Sequence, residues 1–368
     1  MNAHRLSLCM IAKDERDCIG RCLASVKDVV DEIIVVDTGS KDGTQGICGA
    51  HGATVLEFPW NGSFADARNF GLSQASGDWI FFLDADEEVD EADRHKVREV
   101  FSFADRSVVN IHLVNYYGKE VDDKKVLEIA HPRLFRNHIG LRFIGNIHEA
   151  LNVHDVIPDE QTDAFIDAKV HHYGYMDDVV VRKEKISRNL KLLEADLKAG
   201  GSPQWTHYNI ATEYARLQQY ERAYQHVNQA ILHFLQQQLM PPSLVYRLKY
   251  SILINTGSWD GAWPGIERAI QLYPDYVDLH FYMGFILLQK EKYPEALAAL
   301  ERCTELGEGN LKHLVTRGFG SFQAWYLKGI CYEKLGQLNQ AIAAYNEALR
   351  IHPGYTDARE ALHQLAQK

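Results

Sequence analysis

The sequence predicts two folds in series: an α/β domain on a mostly parallel, Rossmann-like sheet, then an all-α solenoid. Three observations carry this. Short apolar runs alternate with helical segments over residues 6 to about 115, the order that buries a parallel sheet under helices. From about residue 204 the periodicity is helical throughout, with small and aromatic residues at matching offsets, the signature of a repeat. The 368 residues, 46% hydrophobic and 24% charged, suffice for two or three soluble domains.

Leu6–Ala12 reads as the first strand and Cys18–Val29 as a helix with Ile19, Cys22, Leu23 and Val26 on its apolar face. Glu32–Asp37 is a second buried strand. Thr38–Thr44 is a polar turn, with Gly39 and Gly43 permitting unusual backbone angles. Thr54–Glu57 is a third strand, Phe64–Ala75 a helix and Trp79–Leu83 a fourth strand. Residues 116–176 read as an irregular extension, and 177–200 as a long charged helix. The expected domains are 1–176, a linker 177–203 and a helical domain 204–368.

The most informative stretch is Trp79–Glu88, an apolar strand ending in Asp84-Ala85-Asp86-Glu87-Glu88. Two carboxylates that close repel, and a divalent cation is their usual relief. A hard, oxygen-ligated cation at a strand end suits a diphosphate. In parallel sheets, ligands bind beyond the carboxyl ends of strands, where Asp37 also falls. Arg68, early in a helix, is expected to meet a pyrophosphate or to position Asp84. No Gly-x-x-x-x-Gly-Lys loop is present, so metal is left as the main neutraliser of the diphosphate.

In the second half, proposed repeat starts at 204, 243, 277 and 322 align Ala211, Tyr250, Gly284 and Gly329 at the eighth position. They align Ala223, Ala262, Ala296 and Ala341 at the twentieth, and Ala230, Ala269, Cys303 and Ala348 at the twenty-seventh. About four units follow, with an insertion at 311–321. The pattern resembles the tetratricopeptide repeat, in which small residues let paired helices approach.

The first half resembles the family 2 glycosyltransferases, which have the GT-A fold. The likeness rests on Leu8–Glu15, Val35–Thr44, Asp66–Asn69 and Leu83–Asp86, in that order. It implies that Ala12 and Glu15 line a nucleoside pocket, although Glu15 reads equally well as a helix N-terminal carboxylate. It implies that Asp37 accepts a hydrogen bond from uracil, and that Asp84 meets ribose or metal through water beside Ala85. Asp86 would ligate metal, manganese or magnesium. The family's third metal ligand comes from downstream, here His172 in preference to His171. Arg133-Leu134-Phe135-Arg136 and Phe143–Glu149 resemble acceptor-side segments of a related subgroup. Arg133 and Arg136 would then face the diphosphate or the acceptor.

An inverting transfer needs a carboxylate to deprotonate the acceptor. Glu149 is the first choice for that base, with His148 orienting it or acting itself, and Glu87 or Glu88 the alternative. The resemblance thus implies a metal-dependent transferase that moves a sugar from a UDP-sugar. The repeats suggest a peptide or protein acceptor, modified on Ser, Thr or Cys as by the bacterial S-glycosyltransferases of glycosylated bacteriocins. The repeats would alternatively form a homodimer. A lipopolysaccharide- or capsule-type transferase is the runner-up, and an inert scaffold the third reading.

The net charge of -11 argues against nucleic-acid or anionic-membrane binding. No apolar run approaches the ~20 residues of a membrane helix. A polar start that leads straight into a strand predicts no secretory signal. Six scattered cysteines without a Cys-x-x-Cys pair point to reduced thiols in the cytoplasm.

Overall fold

The computed structural model describes residues 4–122, 124–182 and 185–367. The domain boundaries expected above also enclose residues 1–3, 123, 183–184 and 368, which lie outside the described ones. The described chain forms two compact units, one of residues 4–122 and 128–201, the other of 124–127 and 202–367.

In the first unit, which takes β7 from residue 128 onward, the strands are β1 Leu6–Ala12, β2 Glu32–Asp37, β3 Thr54–Glu57, β4 Trp79–Phe82, β5 Glu87–Val89, β6 Val108–Gly118, β7 Val126–Arg136, β8 Phe143–Ile144, β9 Ala150–Leu151 and β10 Ala164–Met176. The main sheet runs β3-β2-β1-β4-β7-β6-β10-β5. β1 pairs in parallel with β2 and β4, and β2 with β3. The sheet then turns mixed, because β7 joins β4 antiparallel and β5 joins β10 antiparallel, while β10 and β6 are parallel.

Side chains alternate across β1. Leu6, Leu8 and Met10 enter the core beneath helix α1 (Ile19–Val26), with Ile19, Leu23, Trp79 and Phe81. Cys9 faces the opposite core with Ile34, Phe82, Phe135 and Phe143. Helix α2 is Thr44–Ala50. Helix α3, Phe64–Leu72, starts where the Ser63 hydroxyl accepts from Asp66 N at 3.1 Å, a side-chain cap that fixes the helix start.

Residues 116–176, expected as irregular, contain β7 and β10. The buried positions of β10 are Ala164, Ile166, Ala168, Val170, His172 and Gly174, strictly alternate. That period-2 pattern was present in the sequence, masked by polar and glycine residues on the inward face. A short helix, α4 Val153–Val156, follows β9. The stretch expected as one linker helix comprises α5 Asp177–Arg182 and α6 Lys185–Lys198 on either side of the undescribed pair, and α6 groups with the first unit.

In the second unit the helices are α7 Pro203–Arg216, α8 Tyr220–Gln236, α9 Ser243–Asn255, α10 Trp259–Ala262, α11 Gly265–Leu272, α12 Val277–Gln289, α13 Tyr293–Leu306, α14 Phe322–Lys334, α15 Leu338–Ile351 and α16 Thr356–Ala366. The recurring small residues are its packing points. Ala223, Ala262, Ala296 and Ala341 are wholly buried. A Cβ on Gly329 would stand 2.3 Å from the buried ring of Tyr345, so α14 approaches α15 this closely because position 329 is glycine. No helix of the described residues is long and apolar enough to cross a membrane.

Candidate active site

The parallel strands β1, β2 and β4 end on one side of the sheet, and the acidic residues gather there. Ala12 of β1 pairs with Asp37 of β2, while Cys9 of β1 pairs with Phe82 of β4. Asp37 and Asp84 therefore flank the end of β1, two strand spacings or about 10 Å apart.

Asp37 is buried. Its Oδ2 accepts from the Gly39 and Ser40 amides at 3.1 and 3.0 Å and from Gln45 Nε2 at 2.8 Å. Burial alone would raise its pKa, but these hydrogen bonds, Ser40 and Gln45 foremost, hold it below the ordinary value. Its Oδ1 is buried without a partner. The preceding loops are stitched together: Asp14 N donates to Ser40 Oγ, Lys41 N to Asp14 Oδ1, and Arg16 N to Asp42 Oδ2. Glu15 is half-buried, its amide on Thr44 Oγ1 and its Oε2 accepting from Cys18 Sγ. Ala85 is buried in the core.

Arg68 joins two of the expected site carboxylates. Its Nη2 donates to Asp84 Oδ1 at 2.6 Å and its Nε to Glu149 Oε1 at 2.5 Å. The guanidinium lies 5.4 Å from the rings of Phe82 and Phe143, where cation–π attraction holds it. Its Nη1 is buried with no partner. Burial would raise the Asp84 pKa, but Arg68, then Arg133, bring it down to about 2. Arg133 stacks on Phe82 and pairs with Glu87, and its Nε is also buried without a partner. Burial pushes the Glu87 pKa up. Burial and then Arg133 drive that of neighbouring His131 down to about 3, so this imidazole is neutral.

Asp86 lies on a different set of partners. His172 Nε2 is 3.5 Å from its Oδ1, and Lys185 Nζ is 3.0 Å from its Oδ2. Asn115 Oδ1, 2.8 Å from His172 Nδ1, fixes the imidazole. Burial would lower the His172 pKa, but Asp86 and its acidic neighbours raise it. A Cβ on Gly174 would stand 2.5 Å from His172 Nε2 and 2.6 Å from Asp86 Oδ2; the backbone is pressed into this pair and only glycine fits. The expected trio of Asp84, Asp86 and His172 is therefore split. Arg68 and Arg133 draw Asp84 away, and no three such ligands converge among the described residues. Asp86, His172 and the glycine cradle remain a fit for a divalent cation whose other ligands come from a diphosphate or water.

Other expectations are corrected. Arg136 does not join the site: it pairs with Trp79 at the opposite end of β4, and its side chain donates to the carbonyls of Arg106, Phe103 and Ala104. His171 faces away, between Tyr116 and Asp90. Glu87 is sealed beneath Arg133, and Glu88 pairs with Arg21 at 2.9 Å. His148 is exposed, with a φ of 51° that non-glycine residues seldom adopt. Sequence reasoning missed Lys185, Asn115 and Gln45. Asn115 and His172 carried a signal, being polar residues on inward positions of apolar strands. Lys185 carried none, as one cation in a charged helix.

Residues 7–161 match Glycosyl transferase family 2, and residues 322–355 match the Tetratricopeptide repeat. Residues 7–161 thus resemble a family 2 glycosyltransferase domain, and residues 322–355 a tetratricopeptide repeat. A TPR repeat-containing protein of Synechococcus elongatus is 34% identical over 195 residues, 52% of this chain and 47% of that protein. The SPbeta prophage-derived glycosyltransferase SunS of Bacillus subtilis is 28% identical over 290 residues, 76% of this chain and 66% of SunS. Among solved structures, YrrB, a TPR protein with an unusual peptide-binding site, superimposes with a TM-score of 0.41 at 19% identity, covering 50% of this chain and 88% of YrrB. The matched stretches span about half to two thirds of the two curated relatives.

Proposed function

We propose that this protein is an inverting glycosyltransferase that moves a sugar from a UDP-sugar to a side chain of a peptide or protein. One observation carries the reading: beside the acidic strand end, Arg68 and Arg133 each hold a buried N–H, and across β1 Asp37 holds a buried oxygen, with no partner among the described residues. Unsatisfied buried donors and acceptors are costly. A nucleoside diphosphate offers the matching pieces, an imide N–H for Asp37 and phosphate oxygens for the arginines. The about 10 Å across β1 suits a base at one end and phosphates at the other.

Asp86 and His172 are the residues that would hold a divalent cation, whose chemistry is to neutralise charge on the leaving diphosphate. Arg68 and Arg133, both buried, would add fixed positive charge, which counts most away from water. Glu149 is the base. Asp84 is held at both oxygens by Arg68 and Arg133, Glu87 is sealed and Asp86 is paired with Lys185; Glu149, on the acceptor-side segment, is bound by Arg68 through Oε1 alone, and its second oxygen would take the proton. Arg68 orients its carboxylate through one oxygen.

The repeats serve the acceptor: stacked helical pairs present a long surface that suits an extended peptide. A dimer through the repeats, or a glycan or lipid-linked acceptor, is the rival outcome. The reading places the enzyme in the cytoplasm, where its six unbridged cysteines stay reduced.

The test is thermal stabilisation by a panel of nucleotide sugars with and without manganese, since ligands of the native state raise its apparent stability. A manganese-dependent rise with one UDP-sugar is expected. No rise with any nucleotide would sink the reading and favour a scaffold.

A further inference from the structure

We propose that Lys185 is the resident counter-cation of Asp86, and that a divalent cation binds there by displacing it. This rests on the reading of Asp86 and His172 as cation ligands. Lys185 Nζ lies 3.0 Å from Asp86 Oδ2 and 3.2 Å from the Gly174 carbonyl. That carboxylate and that carbonyl are the oxygen types a hard cation takes, and the ammonium already occupies them. An ammonium and a divalent ion on one carboxylate repel strongly at such separations, so the two exclude each other.

The cations of the site differ in how firmly they are held. Arg68 and Arg133 are buried and stacked on Phe82. Lys185 is the more exposed, at 20% of its side chain, and its ammonium ends a flexible four-carbon stem. It is built to leave.

Charge bookkeeping gives the displacement a direction. Among the described residues, Asp84, Asp86, Glu87 and Glu149 face Arg68, Arg133, Lys185 and the imidazole of His172. Without nucleotide this set is nearly balanced, and a divalent ion gains little by entering. A diphosphate adds negative charge and offers the ammonium a new partner. Lys185 then transfers from Asp86 to a phosphate oxygen, and the vacated carboxylate takes the metal. Metal and nucleotide thus bind with positive cooperativity, a coupling that is reciprocal. The lysine keeps the metal site closed until donor arrives.

The experiment is a titration of the full chain with Mn2+, alone and with UDP, read by the electron paramagnetic resonance of free Mn2+. Lys185→Met keeps the stem and removes the charge. It is expected to bind Mn2+ alone at least tenfold more tightly than the unaltered protein, and UDP should tighten Mn2+ less in the variant. Lys185→Arg should stay weak, and Asp86→Asn should bind little in any background. Equal or weaker Mn2+ binding by Lys185→Met overturns this inference alone. No binding by either chain, with or without UDP, overturns it together with the metal-dependent reading. A second measurement needs no variant: amine acetylation mapped by mass spectrometry. Lys185 should become more reactive when Mn2+ binds with UDP absent; unchanged reactivity at saturating Mn2+ overturns the displacement.

Discussion

Arg68 is the side chain on which two site carboxylates converge, so Arg68→Met is expected to cost the first unit about 3–4 kcal/mol. The magnitude follows from its partners. Asp84 is held from 3.8 down to about 2, which corresponds to roughly 2 kcal/mol at about 1.4 kcal/mol for each tenfold. Arg133 supplies part of that, and Asp84 is one-third exposed, so solvent screening trims the Arg68 share to roughly 1–2 kcal/mol. Glu149, only 10% exposed, is left as an uncompensated charge for about 2 kcal/mol more. The sum lies in the range of about 3–5 kcal/mol for breaking a buried pair. Methionine preserves the contact with Phe82 and Phe143, so little packing loss is added.

The assay is amide hydrogen exchange of the β1 and β4 peptides, which reports the opening of this unit apart from the repeats. Exchange there should accelerate a few hundredfold. The same substitution in an Asp84→Asn, Glu149→Gln background should cost less than half as much, because the stranded charges are gone. A cost below about 1 kcal/mol, or an equal cost in both backgrounds, would refute the idea that Arg68 acts by neutralising these acids.

Glu149→Gln should lower the kcat of transfer by about 10²–10⁴ and leave donor KM within a few-fold; turnover near that of the unaltered enzyme would move the base elsewhere. Gly329→Ala places a methyl 2.3 Å from the Tyr345 ring. Overpacking of about 1–3 kcal/mol, set against about 1 kcal/mol of helix propensity, should accelerate exchange in α14 and α15, and unchanged protection would contradict that packing. Burial, then His226 and His233, push the His207 pKa from 6.5 to about 4. The unfolded chain therefore binds this proton more readily, and stability present above pH 6.5 should fall as pH drops from 6.5 towards 4. His207→Phe should flatten that slope, and an unaltered slope in the thermal midpoint would exclude His207 as its source.

The elements that were legible share one property: their signal is local. β1, β2 and β3 fall where the apolar runs place them, and the helices starting at Pro203, Ser243, Val277 and Phe322 fall within a residue of the proposed repeat starts. The Asp84-Ala85-Asp86 turn is equally local, lying where the apolar run of β4 stops at Phe82 and acids follow. β10 was missed although its alternation is strict, because His172 and Gly174 interrupt the apolar run on the inward face.

Sequence alone determined the order of elements, the repeat period and the gathering of Asp37, Asp84 and Asp86 at strand ends, because each follows from backbone periodicity and the direction of parallel strands. Tertiary structure decided the partners. Asp84 and Asp86 are two residues apart, yet one faces Arg68 and Arg133 and the other His172 and Lys185. Arg133 and Arg136 are three apart on one strand, yet Arg136 ends on main-chain carbonyls far from the acids. Lys185 reaches Asp86 across 99 positions of chain. Which charge meets which is set by how strands and helices bring distant residues within 3–4 Å, and no local pattern of residues encodes that distance.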